Sequence, residues 1–311
     1  MVTNDKFQKC LDQVFLGDEF KYKGLFDEAV KKYKKAIKID PNCEPANLAR
    51  IGVGDCYNSK GLFDEAIKIF SEALEKGPDA TQIHHGLGAA FYRKGLYDDA
   101  IKELNIAIRM AEEYIRKNDP DLLGKDWNKE FENELAELRK RGEFRSHRFI
   151  SLWQMDMMIT SHLSIGCIHV KKNLLNEAIK EFKKGLEIAP RDIRFHASIA
   201  ETLVQKRQLD EAINEYRIAI SLNPKDEELH FNLGLTFHMK GQLDQAIKEY
   251  EETIKINKIF ARANYWIGVA FLKKGFFDKA FEQLNILLKL DVELGTKLRN
   301  LISTEIKKTF K

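Results

Sequence analysis

The chain has 311 residues, 44% of them apolar and 32% charged, enough material for an extended core and enough charge to keep the rest of the surface wet. The 51 Lys and Arg residues stand against 48 Asp and Glu, and a net charge of +3 is too small by itself to argue for a nucleic acid or a membrane as partner. Four cysteines without CxxC spacing, an opening MVTNDKFQKC with no basic cluster before an apolar run, and no run of about 18 uncharged apolar residues speak against a disulfide framework, a secretion signal and a membrane span. The expected compartment is cytoplasmic, with reduced thiols.

The first nine residues are expected to begin a first helix early, with Thr3 or Asn4 as its cap and Phe7 on its apolar stripe. From residue 10 a helical hairpin recurs, clearest at 227–260. There His230, Leu233, Gly234 and Phe237 share one face of a first helix and Lys240-Gly241 breaks it. Ala246, Tyr250 and Thr253 then stripe a second, with Asp244 as first-turn carboxylate or cap. So short a turn makes the two helices antiparallel. The same small residue returns in each first helix at Gly17, Gly54, Gly88, Gly166, Ala200, Gly234 and Gly268, and twelve residues later in each second helix stands Ala29, Ala66, Ala100, Ala178, Ala212, Ala246 or Ala280. A glycine inside a helix costs roughly 1 kcal/mol against alanine, so its return at one offset requires a packing reason. Turn glycines follow at Gly24, Gly61, Gly95, Gly241 and Gly275. Asn173, which tolerates the left-handed conformation, and Arg207, which does so poorly, take the other two turns. Pro41, Pro78, Pro190 and Pro224 stop four of the second helices.

Glu44, Pro45 and Ala46 lengthen the connection after the first hairpin, and Gly52 and Gly86 are additional first-helix glycines where either bare backbone meets a ligand or hairpins pack more tightly. The third hairpin has no closing proline, so its second helix should run to Asn118. After the turn Asp119-Pro120-Asp121, Asp126 caps a helix striped by Trp127, Phe131, Leu135 and Leu138, which Gly142 ends; a long helix from Phe144 to Lys171 then leads into the next hairpin. This makes 115–158 a helical projection. It carries a cationic cluster, Arg139, Lys140, Arg141, Arg145 and Arg148, and an apolar run, Phe149, Ile150, Leu152, Trp153, Met155, Met157 and Met158, in part for internal packing and in part for self-association or a partner. The last helix, 295–311, places Leu298, Leu301, Ile302 and Ile306 on one side as a cap, with five Lys or Arg against one Glu.

A 34-residue helix-turn-helix step with these small residues and turn glycines resembles the tetratricopeptide repeat family. The resemblance spans 10–43, 47–80, 81–114, 159–192, 193–226, 227–260 and 261–294, though the family's early aromatic is replaced by Gln13, Arg50, His84, His162, His196, His230 and Asn264. It implies an all-α, right-handed superhelical solenoid of seven hairpins with an insertion between the third and fourth. The parts are 1–114, 115–158, 159–294 and a capping helix 295–311. The implied function is non-catalytic: a scaffold or adaptor that binds a protein or peptide on its concave surface, with the insertion adding specificity or self-assembly. Concave positions implied by the family are Arg194, Glu201, Phe231, Asn232, His238, Arg262, Tyr265 and Trp266, together with His85, Tyr92 and Arg93. Arg139, Arg141, Arg145, Arg148 and Trp153 are candidates on the insertion.

Two other readings compete: a regulatory subunit of an enzyme or nucleoprotein complex, and weak nucleic-acid binding through the basic insertion or tail, which demands strong salt dependence. The carboxylate clamp of some family members is disfavoured, because its offsets hold Val14, Asp18, Gly52, Gln82 and Gly86 in the first units, and in the last only Asn232 and Arg262 remain. No catalytic motif, cofactor loop or metal set stands out. His162 and His169 share a helix face, but Cys167 points about 200° away from His169.

Overall fold

The computed structural model describes residues 2–77, 80–122, 125, 127–141 and 147–309. It divides into two compact units, Met1–Pro190 and Arg191–Lys311. The described residues form α-helices and one 3-10 turn, with no strand among them. Pro78, Asp126, Gly142 and Phe144 lie outside the described residues, as does Arg145.

In the first unit, α1 (Val2–Tyr22) pairs with α2 (Phe26–Ile39), α3 (Glu44–Ser59) with α4 (Phe63–Lys76), and α5 (Ala80–Lys94) with α6 (Tyr97–Asn118). A 3-10 turn (Pro120–Leu122) and α7 (Trp127–Arg141) precede the pair of α8 (His147–Lys171) with α9 (Leu175–Ile188). Each pair stacks on the next, α2 on α3, α4 on α5 and α6 on α8. The second unit repeats the plan with α10 (Ile193–Gln205) on α11 (Leu209–Leu222), α12 (Glu227–Met239) on α13 (Leu243–Ile256), and α14 (Ala261–Lys273) on α15 (Phe277–Leu290). There α16 (Val292–Thr309) lies across α14 and α15. Helix α1 includes Val2, so Thr3 and Asn4 sit inside it and not at its cap.

The turns between paired helices follow one conformation. Gly24, Gly61, Gly95, Gly241 and Gly275 all have φ between 73° and 81°, and Asn173 and Arg207 adopt the same region at 59° and 63°. In that conformation the Gly241 amide donates to the His238 carbonyl and the Gln242 amide to the Phe237 carbonyl, closing the end of α12. Asp244 is not the cap of α13. Gln242 holds that position, and Asp244 is a first-turn carboxylate paired with Lys274. Because a Cβ is strained at positive φ, Arg207→Gly is expected to stabilise the chain by about 0.5–1 kcal/mol. A urea or thermal titration showing no gain would mean the neighbouring packing already relieves that strain.

The recurring glycines serve an aromatic knob. Tyr33, fully buried, stands between Gly17 of its own hairpin and Gly52 of the next, and Phe70 stands in the same way between Gly54 and Gly86. A Cβ at Gly52 or Gly54 would fall 2.5 Å from a carbon of the corresponding ring. Leu104 fills the place against Gly88, Phe182 against Gly166, Tyr250 against Gly234, and Leu298 of α16 against Gly268. Gly52 and Gly86 therefore show no bare backbone to a ligand; of the two expectations for them, tighter hairpin packing is the one found.

Two polar ladders run along the stacked pairs. Within hairpins, His84, His162, His196 and His230 each meet a carboxylate nineteen residues on, at Nδ1 to Glu103 2.5 Å, Glu181 2.6 Å, Glu215 2.7 Å and Glu249 2.8 Å. These histidines replace the family's aromatic with a hydrogen bond between the two helices. The bond from His162 and the nearby Lys184 hold the Glu181 carboxyl below its ordinary range against the desolvation that opposes them. Between hairpins, Lys60 reaches Asp27, Lys94 Asp64, Lys172 Asp98, Lys240 Asp210 and Lys274 Asp244, in each case from the end of one first helix to the start of the preceding second helix. These pairs are exposed and individually worth a few tenths of a kcal/mol to about 1 kcal/mol.

Within 115–158, the described helix α7 packs against α8 and the end of α6. Trp127 and Phe131 of α7 pack against Leu152, Met155 and Met158 of α8 and Ile115 of α6, and the Trp127 indole N–H donates to the Leu152 carbonyl at 2.9 Å. Most of the apolar run on α8 is thus core, while Trp153 stays half-buried. At the chain's other end α16 starts at Val292, three residues before the expected 295. Its Leu298 and Ile302 are buried, but Leu301 lies at the edge of the stripe and is 39% exposed.

Candidate functional site

The two first helices α12 and α14 carry the densest group of expected contact residues. Helical spacing sets Asn232, Leu235 and Met239 along α12, and Arg262, Tyr265, Trp266, Val269 and Lys273 along α14. Trp266 is half-buried and meets the ring of His238 edge-on at 5.0 Å; Tyr265 meets Trp266 in the same way at 5.7 Å. Tyr265 also packs into the cluster that includes Leu298 and Ile302, so the C-terminal helix covers part of it and leaves Trp266 to the α12 side.

Two expected contact residues are core. Phe231 is 2% exposed, enclosed by Tyr250 and Phe260 with ring centroids 5.8 and 5.0 Å away. The Arg262 guanidinium lies over Phe231 and Phe260, 4.8 and 4.7 Å from their ring centroids, and bonds Glu228, so Arg262 presents an already stacked and paired charge. His238 is 6% exposed, and neither ring nitrogen has a hydrogen-bond partner among the described residues. Burial, with the Lys273 charge as the second cause, lowers its pKa to about 4 and keeps it neutral at pH 7. Both rings, expected on the concave side, are instead packed against neighbouring rings, Phe231 against Tyr250 and Phe260 and His238 against Trp266.

On α10, Arg194 is held by Asp192, with Nε donating to Oδ1 at 3.0 Å and Nη2 to Oδ2 at 2.5 Å. Glu201 is exposed, yet neighbouring protein displaces part of its hydration and raises its pKa. In the first unit His85 is engaged by the Thr160 hydroxyl at 3.0 Å and its pKa is lowered by desolvation. Tyr92 is half-buried and Arg93 exposed at the end of α5. The carboxylates on this face are already engaged, Asp18 by the Tyr33 hydroxyl at 2.6 Å and Asp55 by Lys21 at 3.0 Å and Gln82 at 3.3 Å.

Of the cationic cluster on the insertion, the two described side chains are paired with carboxylates. Arg148 bonds Glu130 at 2.5 Å and Asp121 at 3.3 Å, and Lys140 pairs with Glu137. Arg145 lies outside the described residues, and so do the side chains of Arg139 and Arg141. Among the described residues no group of three or more His, Cys, Asp or Glu could hold a metal, and no helix is long and apolar enough to cross a membrane.

This arrangement of stacked, glycine-notched helix pairs is matched by profiles of one family. Tetratricopeptide repeat profiles match 16–81, 60–115 and 159–192, and a TPR repeat profile matches 200–241 and 236–275. The chain belongs to the tetratricopeptide repeat family, and its fold is an all-α repeat solenoid. Among solved structures it is similar to a tetratricopeptide repeat protein from Parabacteroides merdae, at 15% identity and a TM-score of 0.56 over 95% of this chain and 99% of that one. The C-terminal part of a TPR repeat-containing protein from Cytophaga hutchinsonii matches at 14% identity and a TM-score of 0.61, covering 88% and 94%. The MamA protein matches at 21% identity and a TM-score of 0.50, covering 69% and 93%. At these identities the likeness concerns the fold. No curated protein sequence matches.

Proposed function

We propose that the chain is a non-catalytic interaction scaffold that takes a segment of a partner protein on the α12/α14 face, built from hairpins at 10–43, 47–80, 81–114, 159–192, 193–226, 227–260 and 261–294, with 115–158 adding specificity. Membership of a family whose members are typically non-catalytic scaffolds supports this reading. The observation that carries it is the half-buried Trp266 edge-on to buried His238. A large ring that is neither free nor enclosed offers apolar area at little entropic cost, and beside it Asn232 can bond an extended peptide backbone. Phe231 and His238 shape that surface from below, and Arg262 and Arg194 bring charges that are already oriented.

Once a partner has been identified by native co-purification, Trp266→Ala is expected to weaken its capture by about 2 kcal/mol, roughly thirtyfold, with helix content unchanged. Equal loss of helix content and capture would instead make Trp266 a core residue and end the reading. In the nucleic-acid alternative, which rests on the insertion cluster or the basic tail, Arg148 is already engaged by Glu130 and Asp121.

A further inference from the structure

Away from the α12/α14 face, the first unit has an open cleft of about 410 Å³ where the ends of α5 and α8 meet the starts of α4 and α6. Three rings border it, Phe63, Tyr92 and Tyr97, with Tyr92 and Tyr97 tilted against each other at 6.3 Å. Three cations border it as well, Arg93, Lys94 and Lys171, and no carboxylate does. Lys94 is committed to Asp64, and the neighbouring Lys172 to Asp98. Arg93 and Lys171 have no ion pair among the described residues; Arg93 rests its guanidinium 5.9 Å from the Phe63 ring centroid. Both hold the same offset in their hairpins, two residues before the turn residues Gly95 and Asn173, so the stacking of α5 and α8 brings the two charges to one rim.

We propose that this cleft binds an acidic segment of a partner protein, with a carboxylate between Arg93 and Lys171 and an adjacent apolar side chain against Tyr92, Tyr97 and Phe63. This rests on the scaffold reading and names a second surface with its own partner chemistry. An open cleft desolvates a free small anion too little to hold it, whereas a chain that also buries an apolar side chain adds area to charge. A nucleic acid requires a row of free cations along its backbone. Here the flanking lysines are already paired, and two unpaired cations remain among the described residues of the rim.

The test uses the full chain and three fluorescein-labelled peptides of one length. Each has a central Phe, flanked by Asp and Glu in the first, by Asn and Gln in the second and by Lys in the third. A single-stranded RNA oligonucleotide of matched length is the fourth probe, and binding is read by fluorescence anisotropy. The acidic peptide is expected to bind about tenfold or more tightly than the neutral one, the range set by two charge-assisted contacts. Arg93→Glu with Lys171→Glu should remove that preference and transfer it to the lysine peptide, with circular dichroism unchanged. If the double reversal lowers helix content, Arg93→Gln with Lys171→Gln, expected to abolish the preference without reversing it, decides in its place. Absence of acidic-peptide binding up to millimolar concentration overturns the proposal, as does binding that survives the substitutions, or RNA preferred over the acidic peptide through the same two residues. If Trp266→Ala abolishes acidic-peptide binding and the Arg93 and Lys171 substitutions leave it intact, the cleft is excluded and the α12/α14 reading stands.

Discussion

Phe70→Ala is expected to cost about 3–5 kcal/mol of stability, read from urea or thermal unfolding followed by circular dichroism. The ring is fully buried and its two flanks are Gly54 and Gly86, which have no side chains with which to close the space it leaves. The converse substitution tests the same contact from the other side. Gly86→Val places a branched side chain inside the volume of the Phe70 ring and should destabilise by an amount on the order of 1–3 kcal/mol. Combining Gly86→Ala with Phe70→Leu should recover part of the sum of their separate losses, since the two residues share one volume. In a stack where each hairpin touches only its neighbours, such a loss weakens two interfaces together. A cost below about 1 kcal/mol for Phe70→Ala would show that the helices collapse around the gap and that the ring does not set their spacing.

The second large effect is with acidity. The folded chain holds His238 neutral down to about pH 4, while the unfolded chain takes up that proton near pH 6.5. Above pH 6.5 neither state is protonated and the contribution is complete. As pH falls from about 6.5 to about 4 the unfolded state binds the extra proton, and roughly 2–3 kcal/mol of stability is lost. Urea titrations between pH 7 and pH 4 should show this slope in the wild-type chain and lose it in His238→Leu, which keeps an apolar group beside Trp266. Parallel pH profiles for the two proteins would mean that the ring protonates in place.

The repeat was legible because its determinants are local. A left-handed turn residue, a proline two residues past a helix and a notch of small residues each act within one hairpin, so the end of α6 at Asn118, the end of α8 at Lys171 and the paired helices follow from the sequence. Even Arg207, the least suitable residue for its turn, adopts φ of 63°, because the helices on either side fix the chain direction. What escaped depends on neighbours one step away. The choice at Gly52 between bare backbone and tighter packing is not decided within its own hairpin, because the ring that fills the space, Tyr33, comes from the preceding hairpin. Phe231 holds the offset of Tyr265 one repeat later, yet it is buried against Phe260, and His238 is buried beside Trp266; that packing comes from beyond α12. The His–Glu pairs were within reach, since each carboxylate stands nineteen residues after its histidine. The cleft was half visible: Arg93 was a candidate, and Lys171 holds the equivalent offset in the next repeat, but Phe63 and Tyr97 enter from other helices.

The lysines that reach back to the aspartates of the preceding hairpin have a genealogical consequence. Each joint within a unit presents the same donor on one side and the same acceptor on the other, so a duplicated or excised copy regenerates an identical seam. Lineages built on such joints can lengthen or shorten by whole copies without inventing new adhesive chemistry, and the variation that distinguishes one from another is left to the side chains that no seam employs.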